Sequence, residues 1–252
     1  MKRAVVGIAL VLALAAVGVS TWYFWSTDEN QGENASGSNA SREEDRQDYS
    51  AQELALADDL TVDNDRMLEI AKYENLQVLN LRGCSAPTDA GLAAIGSLKK
   101  LETLDLHKTG VGAESAKAIG SLTKLSTLDL SQCDNLRDEH LPHLSDLPLT
   151  TLNLSGCANL TDKGIEHIAR IETLETLDLS WCPRITGAGL KALEKLPKLR
   201  ELRLNNAPWS DGAITSASFA TLELLDLRET PRLTTQAAED FQNRHPNCKV
   251  LR

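Results

Sequence analysis

The sequence predicts an α/β solenoid, a curved horseshoe of strand–turn–helix units with parallel strands on the concave side and short helices on the convex side. Three observations predict it. The spacing Leu-x-x-Leu-x-Leu starts at Leu76-Leu79-Leu81 and returns at Leu101, Leu125, Leu149, Leu174, Leu199 and Leu222. The period of 23 to 25 residues is too short for an independent domain and suits a unit that buries its apolar face only against its neighbours. Finally, the chain is 42% hydrophobic but only 4% aromatic, so aliphatic side chains, mostly Leu, must fill the core.

Residues 1–25 form the first element. Met1-Lys2-Arg3 is a basic flank, and the 24 residues Ala4–Thr27 carry no charge. As a helix they would span roughly 36 Å, enough to cross a bilayer. Trp22, Tyr23, Phe24 and Trp25 fall where the segment would leave the hydrocarbon, as an interfacial aromatic belt does. The expectation is a single-pass membrane anchor with its N-terminus inside and the rest of the chain outside the cytosol. The competing reading is a cleaved secretory signal, which would release the repeats; the bulky Trp22–Trp25 cluster stands where small cleavage-site residues are expected. Residues 26–50, rich in Asn, Ser, Gly, Asp and Glu, bury too little to offset their ordering entropy and read as a flexible polar linker.

Residues 51–252 are the repeat domain. Ala51, Leu54 and Leu56 carry the strand spacing, and Met67, Leu68 and Ile70 the following helix, so 51–75 reads as an N-terminal cap repeat. Seven repeats follow over 76–247. In Leu149–Thr173, alternation around Leu152 and Leu154 makes a strand, and Leu160 returns to the core. Thr161-Asp162 opens a helix with capping chemistry, and Ile165, Ile168 and Ile171 recur at helical spacing. Trp209, near the place of Leu136, Leu160 and Ile185, fills the shorter sixth repeat. Cys248 and Leu251 match the first two apolar positions of one more strand, so 248–252 reads as the start of a terminal strand.

The formal charge is −10, and it becomes more negative without Lys2 and Arg3. An acidic surface repels phosphate backbones, which excludes nucleic acid and favours a basic partner. Cys84, Cys133, Cys157 and Cys182 share a place three residues past the last strand Leu, held elsewhere by Thr109, Ala207 and Thr230. That exchange asks for a small buried residue rather than for thiol chemistry. Stacked cysteines at ~5 Å are within disulfide reach, but parallel side chains seldom meet at the required dihedral, so free buried thiols are expected. His143 and His167 fall side by side on the helical face, with His140 one turn from His143. No further ligand is fixed beside them, and a solvated surface is the expectation. Gly83, Gly91 and Gly96 are turn and helix glycines rather than a phosphate cradle. With no nucleophile–base pair either, the sequence predicts no enzyme, cofactor, metal or small-molecule substrate.

The residues between the core leucines point into the arc. One column reads Asn80, Asp105, Asp129, Asn153, Asp178, Arg203 and Asp226; the one before it reads Val78, Thr103, Thr127, Thr151, Thr176, Glu201 and Leu224. Asp105, Asp129 and Asp178 therefore form an acidic stripe beside hydroxyls, with Arg203 and Arg228 making the C-terminal end basic. In-register carboxylates repel by about 1 kcal/mol in water, a cost a partner's Lys or Arg relieves. Trp181, two residues past Leu179, is a rim residue and a hot-spot candidate. Local packing over Pro183 or Arg184 is the alternative.

The form Leu-x-x-Leu-x-Leu-x-x-Cys followed by Leu/Ile-Thr-Asp-x-Gly-Leu appears in Leu154-Ser-Gly-Cys157 with Leu160-Thr-Asp-Lys-Gly-Ile165. Leu179-Ser-Trp-Cys182 with Ile185-Thr-Gly-Ala-Gly-Leu190, and Leu81-Arg-Gly-Cys84 with Thr88-Asp-Ala-Gly-Leu92, are further instances. These segments resemble the leucine-rich repeat family, in its cysteine-containing subclass, and with the N-terminal segment the chain resembles membrane-anchored bacterial members. The resemblance implies protein binding on the concave face. It also leaves two other roles in view: a self-associating structural protein of the envelope, and a substrate receptor of ubiquitin-ligase type. Receptors of the latter type carry a ligase-docking helical box before the repeats, where this chain has an anchor and a polar linker.

Overall fold

The computed structural model describes residues 49–252. The anchor read over 1–25 and nearly all of the 26–50 linker lie outside that range. Among the described residues no helix is long and apolar enough to cross a membrane.

Nine three-residue strands form one parallel sheet in sequence order. They are β1 (Glu53–Ala55), β2 (Val78–Asn80), β3 (Thr103–Asp105), β4 (Thr127–Asp129), β5 (Thr151–Asn153), β6 (Thr176–Asp178), β7 (Glu201–Arg203), β8 (Leu224–Asp226) and β9 (Lys249–Leu251). The helices are α1 (Asn64–Ile70), α2 (Asp89–Leu92, continued by a 3-10 turn over Ala93–Ser97), α3 (Ala113–Ile119), α4 (Asp162–Ile168), α5 (Gly187–Leu193), α6 (Asp211–Ser216) and α7 (Thr235–Arg244); the fourth unit has a 3-10 helix over Asp138–Leu144. Strands stack at ~4.8 Å whereas packed helices need 8–10 Å, so the strand side is the concave one. The middle leucine of each strand faces the next, from Leu54 and Leu79 through to Leu225. Those from Leu79 onward are buried, and Trp209 joins them, its indole N–H donating to the Leu204 carbonyl at 2.9 Å.

Met67, Leu68 and Ile70 lie in α1 as the spacing implies; Met67 and Ile70, three apart, take its inward stripe and Leu68 is exposed. One sequence expectation needs correction. The terminal strand is shifted by one residue: Val250, not Leu251, opposes Leu225, and Leu251 opposes Asp226. Gln242 of α7 sets that register. Its amide nitrogen donates to the carbonyls of Cys248 (2.5 Å) and His245 (3.2 Å), and its amide oxygen accepts the Val250 N–H at 3.0 Å.

A polar ladder ties the helical side together and explains the Thr-Asp-x-Gly segment. Thr161 caps α4 by accepting from Lys163 N–H. Asp162, the next residue, reaches into the following repeat and accepts the Thr186 N–H (2.7 Å), its hydroxyl (2.6 Å) and the Gly189 N–H (3.0 Å). Asn64 serves Thr88, Asp138 serves Thr161 and Asp211 serves Thr234 in the same way. Asp89 accepts from the Gly112, Glu114 and Ser115 N–H groups and from the Ser115 hydroxyl. Burial alone would raise the Asp89 carboxyl, but these bonds outweigh it and hold it below the usual range. Glycine completes the motif by leaving room: a Cβ on Gly164 would lie 2.5 Å from Asp138 Oδ1, and one on Gly189 2.7 Å from Asp162 Oδ1.

The cysteines form a second ladder. All five are free and buried. The thiols of Cys133, Cys157 and Cys182 donate to the carbonyls of Leu106, Leu130 and Leu154 in the preceding repeat at 3.1–3.2 Å, and Cys84 to that of Leu56 at 3.0 Å. Thr109 and Thr230 turn their hydroxyls to their own strand carbonyls instead. Burial pushes the Cys133 thiol up to about 11, Cys182 to about 12 and Cys157 higher still, so these sulfurs stay protonated and inert.

Gly→Ala inside a helix ordinarily stabilises by about 1 kcal/mol. Gly164→Ala is expected to destabilise instead, by about 1–3 kcal/mol, because the new Cβ must displace a carboxylate bonded to Thr161 and meets Leu141 at 2.9 Å. Denaturant unfolding checks the sign; a rise in the midpoint would refute this account of the motif.

Candidate protein-binding face

Three columns of side chains cover the strand face: the threonine-rich one, the Asp/Asn one, and Arg82, His107, Ser131, Ser155, Ser180, Asn205 and Arg228 beyond it. Strand pairing brings Asp105 opposite Asp129 and Asp178 opposite Arg203, as the periodicity implies. The Asp/Asn column has a structural duty that the sequence reading missed. Each Oδ1 accepts the backbone N–H two residues on and so ends its strand in an Asx turn. Asn80 takes Arg82, Asp105 takes His107, Asp129 takes Ser131, Asn153 takes Ser155, Asp178 takes Ser180 and Asp226 takes Arg228, at 2.8–3.2 Å. Where Arg203 interrupts the column, the Asn205 N–H turns to the Ser180 hydroxyl of the neighbouring repeat, at 3.2 Å.

The basic end is largely neutralised from within. Arg203 pairs with Glu201 at 2.6 Å and lies 3.9 Å from Asp178. Arg228 grips Asp226 through Nε and a terminal nitrogen (2.9 and 2.6 Å), and Asn205 adds a third donor. Asp226 is only 1% exposed; burial would raise its carboxyl, and these donors hold it below the ordinary range instead.

The middle of the face differs. Asp129 Oδ2 accepts from Asn153 at 2.8 Å, and its Oδ1 takes the Ser131 hydroxyl. Ser131 in turn lies 2.7 Å from His107 Nδ1, which must then carry the proton. Burial lowers the His107 pKa, with Arg82 adding to the effect. Asp105 accepts only the His107 N–H, and burial raises its carboxyl, with the charge of Asp129 pushing the same way. Among the described residues no cation pairs with Asp105 or Asp129.

Trp181 stands apart from these acids. It is 59% exposed, so most of its surface faces solvent. It occupies the turn after β6 at φ 60°, and it borders an open depression of about 500 Å³ lined by Lys108, Gln132, Asp134, Ser155 and Gly156. On the helical side, His140 turns inward and caps its own 3-10 helix by accepting the Arg137 N–H at 3.2 Å, while His143 remains exposed. The three imidazoles therefore do not converge, and no group of three His, Cys, Asp or Glu among the described residues is placed to hold a metal.

Stacked strand–turn–helix units with a polar strand face define a repeat solenoid of the protein-interaction type. The model of the leucine-rich repeat region matches residues 60–247, and the chain belongs to the leucine-rich repeat family. Among solved structures it is similar to internalin C2 of Listeria monocytogenes, with 20% identity, a TM-score of 0.48, and 70% of this chain and 80% of that one covered. It is also similar to the yeast Rad7 and Elc1 complex, with 16% identity, a TM-score of 0.46, and 79% and 73% covered. No curated protein matches it.

The raised carboxyl of Asp105 sets a pH dependence. A folded pKa above the unfolded value of about 3.9 gives stability that is fully present below that value and is lost as pH rises through the folded pKa. Asp105→Asn keeps the Asx turn, as Asn80 and Asn153 show, and removes the loss. The variant is expected to be more stable at pH 7 by about 0.5–1 kcal/mol, the size of a like-charge cross-strand pair, with the advantage vanishing below about pH 4. Unfolding free energies across that range check it; a pH-independent difference would refute it.

Proposed function

We propose that this chain is a non-enzymatic protein-binding module of the cysteine-containing, membrane-anchored bacterial type, held outside the cytosol by residues 1–25 on the 26–50 linker. If the N-terminal segment is cleaved, the same module is secreted. The strand face takes a basic partner, whose Lys or Arg enters beside Asp105 and Asp129. One observation carries this reading: two directly opposed carboxylates at the centre of the face have no cation from the described chain between them, while Asp178 and Asp226 at the C-terminal end have theirs. A partner's ammonium or guanidinium supplies the missing charge, and salt weakens the contact.

A photo-crosslinking residue at Thr127 is expected to give an adduct with a basic protein in intact cells. The adduct should fade at high salt, disappear when Asp105→Asn and Asp129→Asn are combined, and be absent from Glu166 on α4. Equal yields from both faces would sink the proposal. Adducts of twice the chain's mass would favour the second reading, self-association, which rests on β1 and β9 closing the sheet with one unpaired side each among the described residues. Protease added to intact cells is expected to remove the repeats of the anchored form; protection until the membrane is opened would refute the orientation.

A further inference from the structure

Trp181 occupies a place where the fold demands a left-handed residue in every repeat. Its counterparts Gly83, Lys108, Gln132, Gly156, Asn206 and Glu229 all have φ between 54° and 73°. For a residue with a side chain that conformation costs about 1–2 kcal/mol, and a bulky aromatic is the least suited to it. Trp181 is also 59% exposed, so most of the indole surface remains in contact with solvent. Backbone preference does not favour an indole at this position, and the open part of the ring is a surface for contact with something outside the chain.

The surroundings say what kind of ligand. Gly156, in the adjacent repeat, has no side chain to cover the ring, and the depression beside it is open. Its lining supplies one ammonium (Lys108), one carboxylate (Asp134), one amide (Gln132) and one hydroxyl (Ser155). The side chains of Lys108, Gln132 and Asp134 make no hydrogen bond or ion pair within the described chain, so their donors and acceptors are free. A cationic ligand would meet Lys108, an anionic one Asp134, and a purely apolar one would leave both charges desolvated without a partner. A neutral ring with an apolar C–H face and a rim of hydroxyls satisfies all of them. We propose that Trp181 and this depression form a saccharide-binding site, with a pyranose stacked on the indole and its hydroxyls bonded to Gln132, Asp134 and Lys108. This site adjoins the strand face at Ser155 but uses none of its acids, since Asp105, Asp129 and Asp178 do not line the depression.

The test is titration of the full chain, in a detergent without a sugar headgroup, with cellohexaose, chitohexaose and glucose, read by calorimetry. At least one of the three is expected to bind with a Kd of about 0.1–1 mM, the range of a small open site. Binding by a hexasaccharide but not by glucose identifies a polymer as the source; comparable binding by glucose identifies the free sugar. Trp181→Gly, which suits φ 60° and should fold at least as well, is expected to weaken binding at least tenfold, by loss of about 1.4 kcal/mol. Asp105→Asn with Asp129→Asn should leave it unchanged, which separates this site from the strand face. The proposal is overturned if no saccharide binds below about 10 mM or if Trp181→Gly binds as tightly as the unsubstituted chain. It is also overturned if hexalysine binds in a Trp181-dependent way and the sugars do not.

Discussion

A strand leucine of this protein is never buried by its own repeat. Leu104 lies between Leu79 and Leu128, and Leu152 between Leu128 and Leu177, so each repeat needs the one before and the one after to close its core. That nearest-neighbour dependence fixes the register, because a slip of one residue would turn the leucines outward and the aspartates inward. It also fixes the turn that follows each strand. The chain leaves the sheet at the same point in each repeat, through a left-handed residue that an Asx turn precedes in all but the β1 and β7 repeats. Function therefore has to be written in the side chains that the stacking leaves outside.

The polar side chains divide by what the stack asks of them. The Asp/Asn column looks like a recognition stripe, yet one oxygen of nearly every member is committed to ending its strand. What remains outside is the second carboxylate oxygen, and at Asp105 and Asp129 in the middle of the face it is in no ion pair with the described chain, although the charge of Arg82 reaches Asp105. Arg203 and Arg228 belong to the balance of the C-terminal end rather than to an outward-facing basic patch. The face is thus acidic at its centre and closer to neutral at that end, a narrower target than the column of residue types suggests.

The fold was legible because its signal is periodic. Leucines at fixed spacing name both the strands and the faces they bury, and Trp209 could be placed in the core by its offset alone. The cap role of Thr161 could be read locally as well. The role of Asp162 could not, because its partners Thr186 and Gly189 lie more than twenty residues away and nothing local marks the bond. The shifted register of β9 depends on Gln242, a tertiary contact with no pattern behind it. Arg203 and Arg228 read as a basic end for a related reason: a charge in a column says nothing of which neighbour its side chain will reach. Trp181 was visible as an odd residue at a turn position, but its left-handed backbone, which makes it costly, was not.

The ladder of Asp and Thr on the helical side is not continuous. It joins the units opened by Asn64, Asp89 and the α3 cap, then those of Asp138, Asp162 and α5, then those of Asp211 and α7. It is missing where Ala113 precedes Arg137 and where Gly187 precedes Ser210. The convex side is therefore stitched in blocks, with two seams that lack the Asp–Thr bond; at the second, Glu194 accepts the Ser218 N–H instead. The Asp105–Asp129 pair sits at the first of them, between β3 and β4. The most acidic stretch of the strand face therefore lies directly across the arc from the first break in the convex ladder.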